Sequence, residues 1–129
     1  MEALSANPVC LVIGAGDATG GAIARRFARE GYIACVTRRT ADKLTPLVAQ
    51  IEAAGGKADG FGTDARKEEE VIALVEQIES TLGPIEVLVF NIGANAAASI
   101  VEETARKYFK IWEMGCFAGF LNGREVAKR

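Results

Sequence analysis

Val9-Cys10-Leu11-Val12-Ile13-Gly14-Ala15-Gly16-Asp17-Ala18-Thr19-Gly20-Gly21-Ala22-Ile23-Ala24-Arg25-Arg26-Phe27-Ala28-Arg29-Glu30-Gly31 reads as three pieces in succession: a buried strand, a glycine-rich turn and an amphipathic helix. Five consecutive apolar residues, Val9 to Ile13, suit a strand covered on both faces. Gly14, Gly16 and Gly20 follow with the spacing G-x-G-x-x-x-G. Without a Cβ at these positions, backbone can approach a pyrophosphate closely. The helix begins at about Asp17, Ala18 and Thr19, and it aims unpaired N–H groups and the positive end of its dipole at the same spot. Ile23, Ala24, Phe27 and Ala28 make its apolar face, and Arg25, Arg26, Arg29 and Glu30 make the other. Gly31 supplies the stop. The glycine spacing alone is a weak signal. Its position after a strand and at the opening of a helix is what favours a dinucleotide site over a tight turn with no ligand.

The same alternation continues outward from this unit. Tyr32 to Thr37 reads as a second buried strand, with Arg38 and Arg39 at its carboxyl end. Leu44, Leu47, Val48 and Ile51 stand at helical spacing. Pro46 lies inside that pattern, and it is accommodated if Thr45 is the N-cap, Pro46 the first helical residue and 41–44 a separate turn or kink. Gly55-Gly56 ends the helix. Ala58 to Thr63 is a weaker third strand closed by Asp64 and Ala65. A third helix runs from about Lys67 to Leu82, with Val71, Leu74, Val75, Ile78 and Leu82 as its stripe and three glutamates in its first turn. Ile85 to Phe90 is a fourth apolar strand, and Asn91-Ile92-Gly93-Ala94-Asn95 is the loop beyond it. A last helix starts near Thr104, with a break expected near Gly115. Phe109, Trp112, Cys116 and Phe120 lie roughly along one side of it. Gly115, Gly119 and Gly123 recur every fourth residue, which implies close packing against that face.

Strands and helices in strict alternation predict an α/β fold, a Rossmann-like doubly wound parallel sheet with strand order 3-2-1-4 and helices on both faces. Residues 8–129 form the dinucleotide-binding domain, and 1–7 are expected to be a flexible tail. The crevice lies at the carboxyl ends, between strands 1 and 4, where the winding reverses. Gly14, Gly16, Asp17, Ala18, Thr19 and Gly20 reach that edge, as do Thr37, Arg38 and Arg39, Asp64 and Ala65, and Asn91, Ile92 and Gly93 with Ala94. Four loops meeting at one edge are the strongest internal sign of a nucleotide site.

Composition narrows the alternatives. The chain has 129 residues, 50% of them hydrophobic and 25% charged, and a net charge of −2. That balance gives no broad pull toward nucleic acid. No apolar run reaches the length of a membrane span, and residues 1–7 lack the pattern of a signal peptide, so a cytoplasmic location is expected. Histidine is absent, which removes His-based triads and the commonest zinc ligand. No Gly-Lys-Ser/Thr follows the glycine turn, so a P-loop is excluded. Cys10, Cys35 and Cys116 have no metal-like spacing; the first two fall on strands and read as buried thiols.

These residues resemble the short-chain dehydrogenase/reductase family, over essentially the whole chain but only the N-terminal half of a family member. The family's T-G-x-x-x-G-x-G motif lies over Ile13 to Gly20: Gly14 and Gly20 match, while Ile13 replaces the threonine and Ala18 the middle glycine. The resemblance implies that Asp64 lies beside the adenine ring of a nicotinamide dinucleotide. Asn91 and Gly93 fit the N-N-A-G motif, which stabilises the sheet and borders the cofactor, with Phe90 and Ile92 departing from it. Gly115 occupies the place of the family's helix asparagine, which supports a water-mediated proton relay. Family members reduce carbonyls or oxidise alcohols with a serine and a Tyr-x-x-x-Lys pair. Tyr32 and Tyr108 have Val36 and Trp112 four residues on, so neither supplies it. No catalytic residue is assigned in this chain, and alone it is expected to be inactive. The chain ends within an amphipathic helix, which favours a fragment. The corresponding family helix contributes to a dimer interface, which implies a homodimer or higher oligomer through residues 104–129.

The carboxyl end of the second strand bears on the choice of cofactor. NAD-preferring sites place a carboxylate there for the ribose 2′-OH. Thr37 stands at that point, followed by Arg38 and Arg39, whose guanidinium groups suit a 2′-phosphate. NADP(H) is therefore favoured over NAD(H), although Asp17 in the glycine loop would repel the phosphates. Three functions compete: the cofactor half of a dehydrogenase or reductase acting on a small carbonyl or alcohol, a non-catalytic NADP(H)-binding module or sensor, and a folded remnant with no occupied site.

Overall fold

Alternation along one strand builds two cores at once. In the computed structural model, which describes residues 7–93 and 96–129, β1 (Val9–Ile13) is buried at every position. Successive side chains point to opposite faces of a sheet. Val9, Leu11 and Ile13 join Leu74, Val75, Ile78 and Ala118 on one face, while Cys10 and Val12 join Ala24, Ala28, Leu47 and Ile51 on the other. Each fully buried Val, Leu or Ile contributes about 1.5–3 kcal/mol relative to an exposed one.

The elements follow in the expected order: α1 (Thr19–Arg29), β2 (Ile33–Arg38), a 3-10 turn (Ala41–Leu44), α2 (Thr45–Ala53), β3 (Lys57–Gly62), α3 (Glu68–Thr81), β4 (Ile85–Phe90), α4 (Ala105–Trp112), a π turn (Glu113–Phe117) and α5 (Ala118–Ala127). The four strands form one parallel sheet in the order β3-β2-β1-β4, with helices on both faces. This is the Rossmann-like doubly wound arrangement. The β1–β4 register slips by one residue between Val9, opposite Ile85, and Cys10, opposite Val87. No helix of the described residues is long and apolar enough to cross a membrane.

Two local readings need correction. Thr45 is not the N-cap of α2: it lies inside the helix, and Leu44, the last residue of the 3-10 turn, takes the cap position. Pro46 still falls in the first turn, where a missing N–H leaves no bond unmade. The every-fourth-residue glycines do not form a common packing face. A Cβ at Gly119 would meet the Phe90 ring at 3.3 Å, whereas at Gly115 and Gly123 nothing stands within 4 Å. Gly115 sits in the π turn, whose wider winding breaks the four-residue repeat. The expected break near Gly115 is that π turn. The tail expected over 1–7 lies outside the described residues except for Asn7, and so do Ala94 and Asn95 of the loop after β4.

Candidate functional site

The glycine turn is tied to both strands that flank β1. Gly14 and Ala15 donate their backbone N–H groups to the Thr37 carbonyl at 3.1 and 2.9 Å. From the other side, Asn91 donates its backbone N–H to the Ile13 carbonyl at 2.8 Å and its side-chain Nδ2 to the Gly14 carbonyl at 3.1 Å. Gly14 has φ +89°, and a Cβ there would lie 2.6 Å from the Asn91 carbonyl oxygen. A Cβ at Gly20 would lie 2.4 Å from the Gly14 carbonyl oxygen, and one at Gly21 would lie 2.0 Å from that of Gly16. These three glycines let the turn close on itself. Gly16 differs, since a Cβ there would meet only Arg38 Nη1 at 3.4 Å. Its backbone is the part of the turn that remains open to a neighbour.

Ala18 is the N-cap of α1, has no side chain able to cap, and is followed by no acid in the first turn. The N–H groups at this helix start therefore meet no competing carboxylate from their own helix. Asp17, Ala18 and Thr19 are exposed there, and Gly20 is buried.

Two grooves open along the carboxyl edge. One, of about 230 Å3, is lined by Gly14, Thr37, Arg38, Arg39, Asp64, Ala65 and Ile92, together with Thr40, Lys43, Thr63, Arg66 and Met114. The other, of about 830 Å3, is lined by Gly16, Asp17, Arg25, Arg38 and Lys43, with Pro46, Leu47 and Gln50 from α2. Arg38 and Lys43 border both. The structure thus brings eight of the expected residues from three loops, with Ile92 from the fourth, around one continuous edge. Thr37 is almost fully buried, so its side chain presents little to the cleft beside Arg38 and Arg39. Ala65 is equally withdrawn into the core. Asn91 lies beneath the glycine turn as a tie, and Gly93 is exposed outside both grooves.

Asp64 is held by Arg66, a residue that the sequence reading did not single out. Its Oδ1 accepts from the Arg66 backbone N–H at 3.0 Å and from Nε at 2.9 Å, and its Oδ2 accepts from an Nη at 2.9 Å. This fork lowers the Asp64 carboxyl to a pKa of about 2 and raises the Arg66 guanidinium further. The other Arg66 Nη lies 3.7 Å from Glu113 Oε1 in the π turn. Asn122, fully buried on α5, donates Nδ2 to the Ala65 carbonyl at 3.3 Å and to the Ala118 carbonyl at 2.8 Å. Lys43, Arg66, Glu113, Met114 and Asn122 are the site residues sequence reasoning missed. Lys43 had a usable signal, being a third cation shortly after Arg38 and Arg39. Glu113 and Asn122 had none, because their partners lie on distant elements. Among the described residues no cluster of acids and cysteines could hold a metal ion.

A parallel sheet with this strand order, a glycine turn opening a helix and a polar crevice at the winding reversal define a Rossmann-type α/β protein. The sequence profile of the family described as short chain dehydrogenase matches residues 8–129. The chain belongs to that family. It is 31% identical over 124 residues to sorbitol-6-phosphate 2-dehydrogenase of Escherichia coli (strain K12), covering 95% of this chain and 48% of that protein. The crystal structure of a short-chain dehydrogenase from Rhodopseudomonas palustris superposes with a TM-score of 0.87 at 48% identity, covering 95% of this chain and 57% of that one. F189W actinorhodin polyketide ketoreductase with NADPH superposes with a TM-score of 0.89 at 30% identity, covering 99% and 49%. The chain spans about half the length of the relatives it matches.

Proposed function

We propose that this chain is the cofactor-binding half of an NAD(P)-dependent oxidoreductase that reduces a small carbonyl or oxidises the corresponding alcohol, that it prefers NADP(H), and that it works in the cytoplasm as a homodimer or higher oligomer paired through residues 104–129. The observation that carries the cofactor choice is the cation set at the end of β2. Arg38, Arg39 and Lys43 line one cleft, with no carboxylate at the Thr37 position. Arg38 and Lys43 also reach the groove that holds Gly16 and Asp17. In this reading the open backbone of Gly16 and the uncapped start of α1 hold the pyrophosphate, Arg38 and Arg39 hold the 2′-phosphate, and Asp64 faces the base. The nicotinamide, when bound, supplies or takes the hydride. The residues present fit such a group, because the cradle is the one place in the turn where a Cβ would stand in the way of an outside ligand rather than of the turn itself.

Exposed Asp17 opposes this preference through its charge, but three cations outweigh one carboxylate at the same edge. Membership in a family of oxidoreductases supports an enzyme over a sensor or a ligand-free remnant. No Tyr-x-x-x-Lys stands in these 129 residues, so binding is the informative readout, and no turnover is expected from the chain by itself. The test is a titration of the chain and of Arg38→Ala with NADPH and NADH at fixed salt. Loss of one charge-assisted contact should weaken NADPH by about 1.5–3 kcal/mol, roughly ten- to a hundredfold, and leave NADH unchanged. Equal losses for both, or an unmodified chain that prefers NADH, would refute the preference.

A further inference from the structure

Resting on that dinucleotide reading, we propose that Arg66, braced by Glu113 from the π turn, is a positioning residue that sets the cleft's preference for a 6-amino over a 6-oxo purine at the base end of the cofactor. The argument starts from lone pairs. An ionised carboxylate offers about four acceptor positions and no donor. Arg66 fills both positions on Asp64 Oδ1, with its backbone N–H and Nε, and one on Oδ2. A single acceptor position therefore remains, on Oδ2, in a side chain that lines the cleft and is 16% exposed. One acceptor position fits one N–H. An exocyclic amino group donates to it, while a carbonyl oxygen in the same place sets lone pair against lone pair and leaves both groups unpaired.

The direction of that last lone pair depends on the plane of the carboxylate. A guanidinium bound through two parallel bonds fixes that plane; an ammonium at the same distance would not. The guanidinium is itself held from its far side by Glu113 Oε1 at 3.7 Å. The backbone between Asp64 and Arg66 is pinned from below, where the Ala65 carbonyl accepts from the buried Nδ2 of Asn122 at 3.3 Å. The base-reading loop is thus gripped by two elements more than forty residues away in sequence, the π turn and α5.

The experiment titrates the chain with NADPH and with its hypoxanthine analogue, in the unmodified form and in Arg66→Met, Arg66→Lys and Glu113→Gln. The unmodified chain should favour the adenine form about tenfold. Arg66→Met and Arg66→Lys should bring the ratio close to one by weakening the adenine form alone, and Glu113→Gln should move it part of the way. Arg66→Lys and exposed-side Glu113→Gln keep the test usable where Arg66→Met fails to fold. A ratio unchanged in all three variants, or an equal weakening of both ligands, overturns the proposal, because a merely structural arginine would act on both alike. An unmodified chain that binds both ligands equally overturns this proposal alone. An unmodified chain that binds neither overturns the dinucleotide reading beneath it.

Discussion

Gly20 and Gly123 are both helical glycines, and their surroundings set opposite expectations. At Gly20 a methyl group would lie 2.4 Å from the Gly14 carbonyl oxygen and 2.9 Å from the Ala15 Cα, both backbone atoms of the turn. Neither can move without opening the turn, so Gly20→Ala should destabilise the fold by about 2–4 kcal/mol. At Gly123 nothing stands within 4 Å, and alanine is the better helix former by about 1 kcal/mol, so Gly123→Ala should stabilise by about 0.5–1 kcal/mol. Urea midpoints of the two variants, measured side by side, check both signs. Spacing alone does not distinguish these residues. What separates them is the atom opposite, which only the fold supplies. Gly14, by contrast, was legible as a turn glycine, because a strand ends immediately before it.

The connection between β3 and α3 shows what an element adds to its residues. Asp64 donates its backbone N–H to Glu70 Oε1 at 2.9 Å, and its carboxylate takes the Arg66 fork. A carboxyl lowered from 3.8 to about 2 is held more tightly when charged in the folded chain than in the unfolded one. Its contribution, about 2 kcal/mol, is complete well above pH 4, falls as the pH drops through 3.8 toward 2, and is gone below that. Arg66→Met should therefore cost stability at pH 6 and little at pH 2, in urea unfolding followed at both values. A cost equal at the two pH values would mean that packing of the arginine stem, not the ion pair, is what is lost. The strands and the apolar stripes of the helices were readable because burial on two faces leaves continuous or periodic apolar runs. The Asp64–Arg66–Glu113 chain was not. A charge two residues from another reads as solvated, and nothing local to Glu113 marks it as the partner of a loop after β3. The form of the π turn was equally hidden: a glycine announces weakness in a helix, not the wider winding that results.

At the scale of the molecule, one side of the α4–π–α5 segment is unusually apolar. Phe109 and Trp112 have centroids 5.6 Å apart, Trp112 and Phe117 5.7 Å, and Phe117 and Phe120 6.4 Å, with the Arg124 guanidinium 4.8 Å above the last ring. Phe109, Trp112 and Phe120 are 54%, 41% and 53% exposed. Aromatic surface on this scale is uncommon on a solitary chain and suits a two-fold pair of these helices. Sedimentation velocity over a range of concentrations should show a dimer that dissociates on dilution, and Trp112→Ser should shift it to monomer. A single monomeric species throughout would refute pairing through this face. Cys10 and Cys35 stand at the opposite extreme, buried on β1 and β2 with burial pushing their thiols up to about 11 and about 12, as inert as their strand positions suggested.

The position of β1 between β2 and β4 also sets a schedule for synthesis. The ribosome delivers β1 first and β2 soon after, but the strand that seals the other edge of β1 arrives about 50 residues later than β2. At roughly 5–20 residues per second, the nascent chain carries one bare edge of its most apolar strand for several seconds. Asn91, which ties the glycine turn to β4, emerges only at the end of that interval. The phosphate cradle is thus encoded near the start of the message and locked among its later events, and the open edge of β1 is where a chaperone would find this protein during its manufacture.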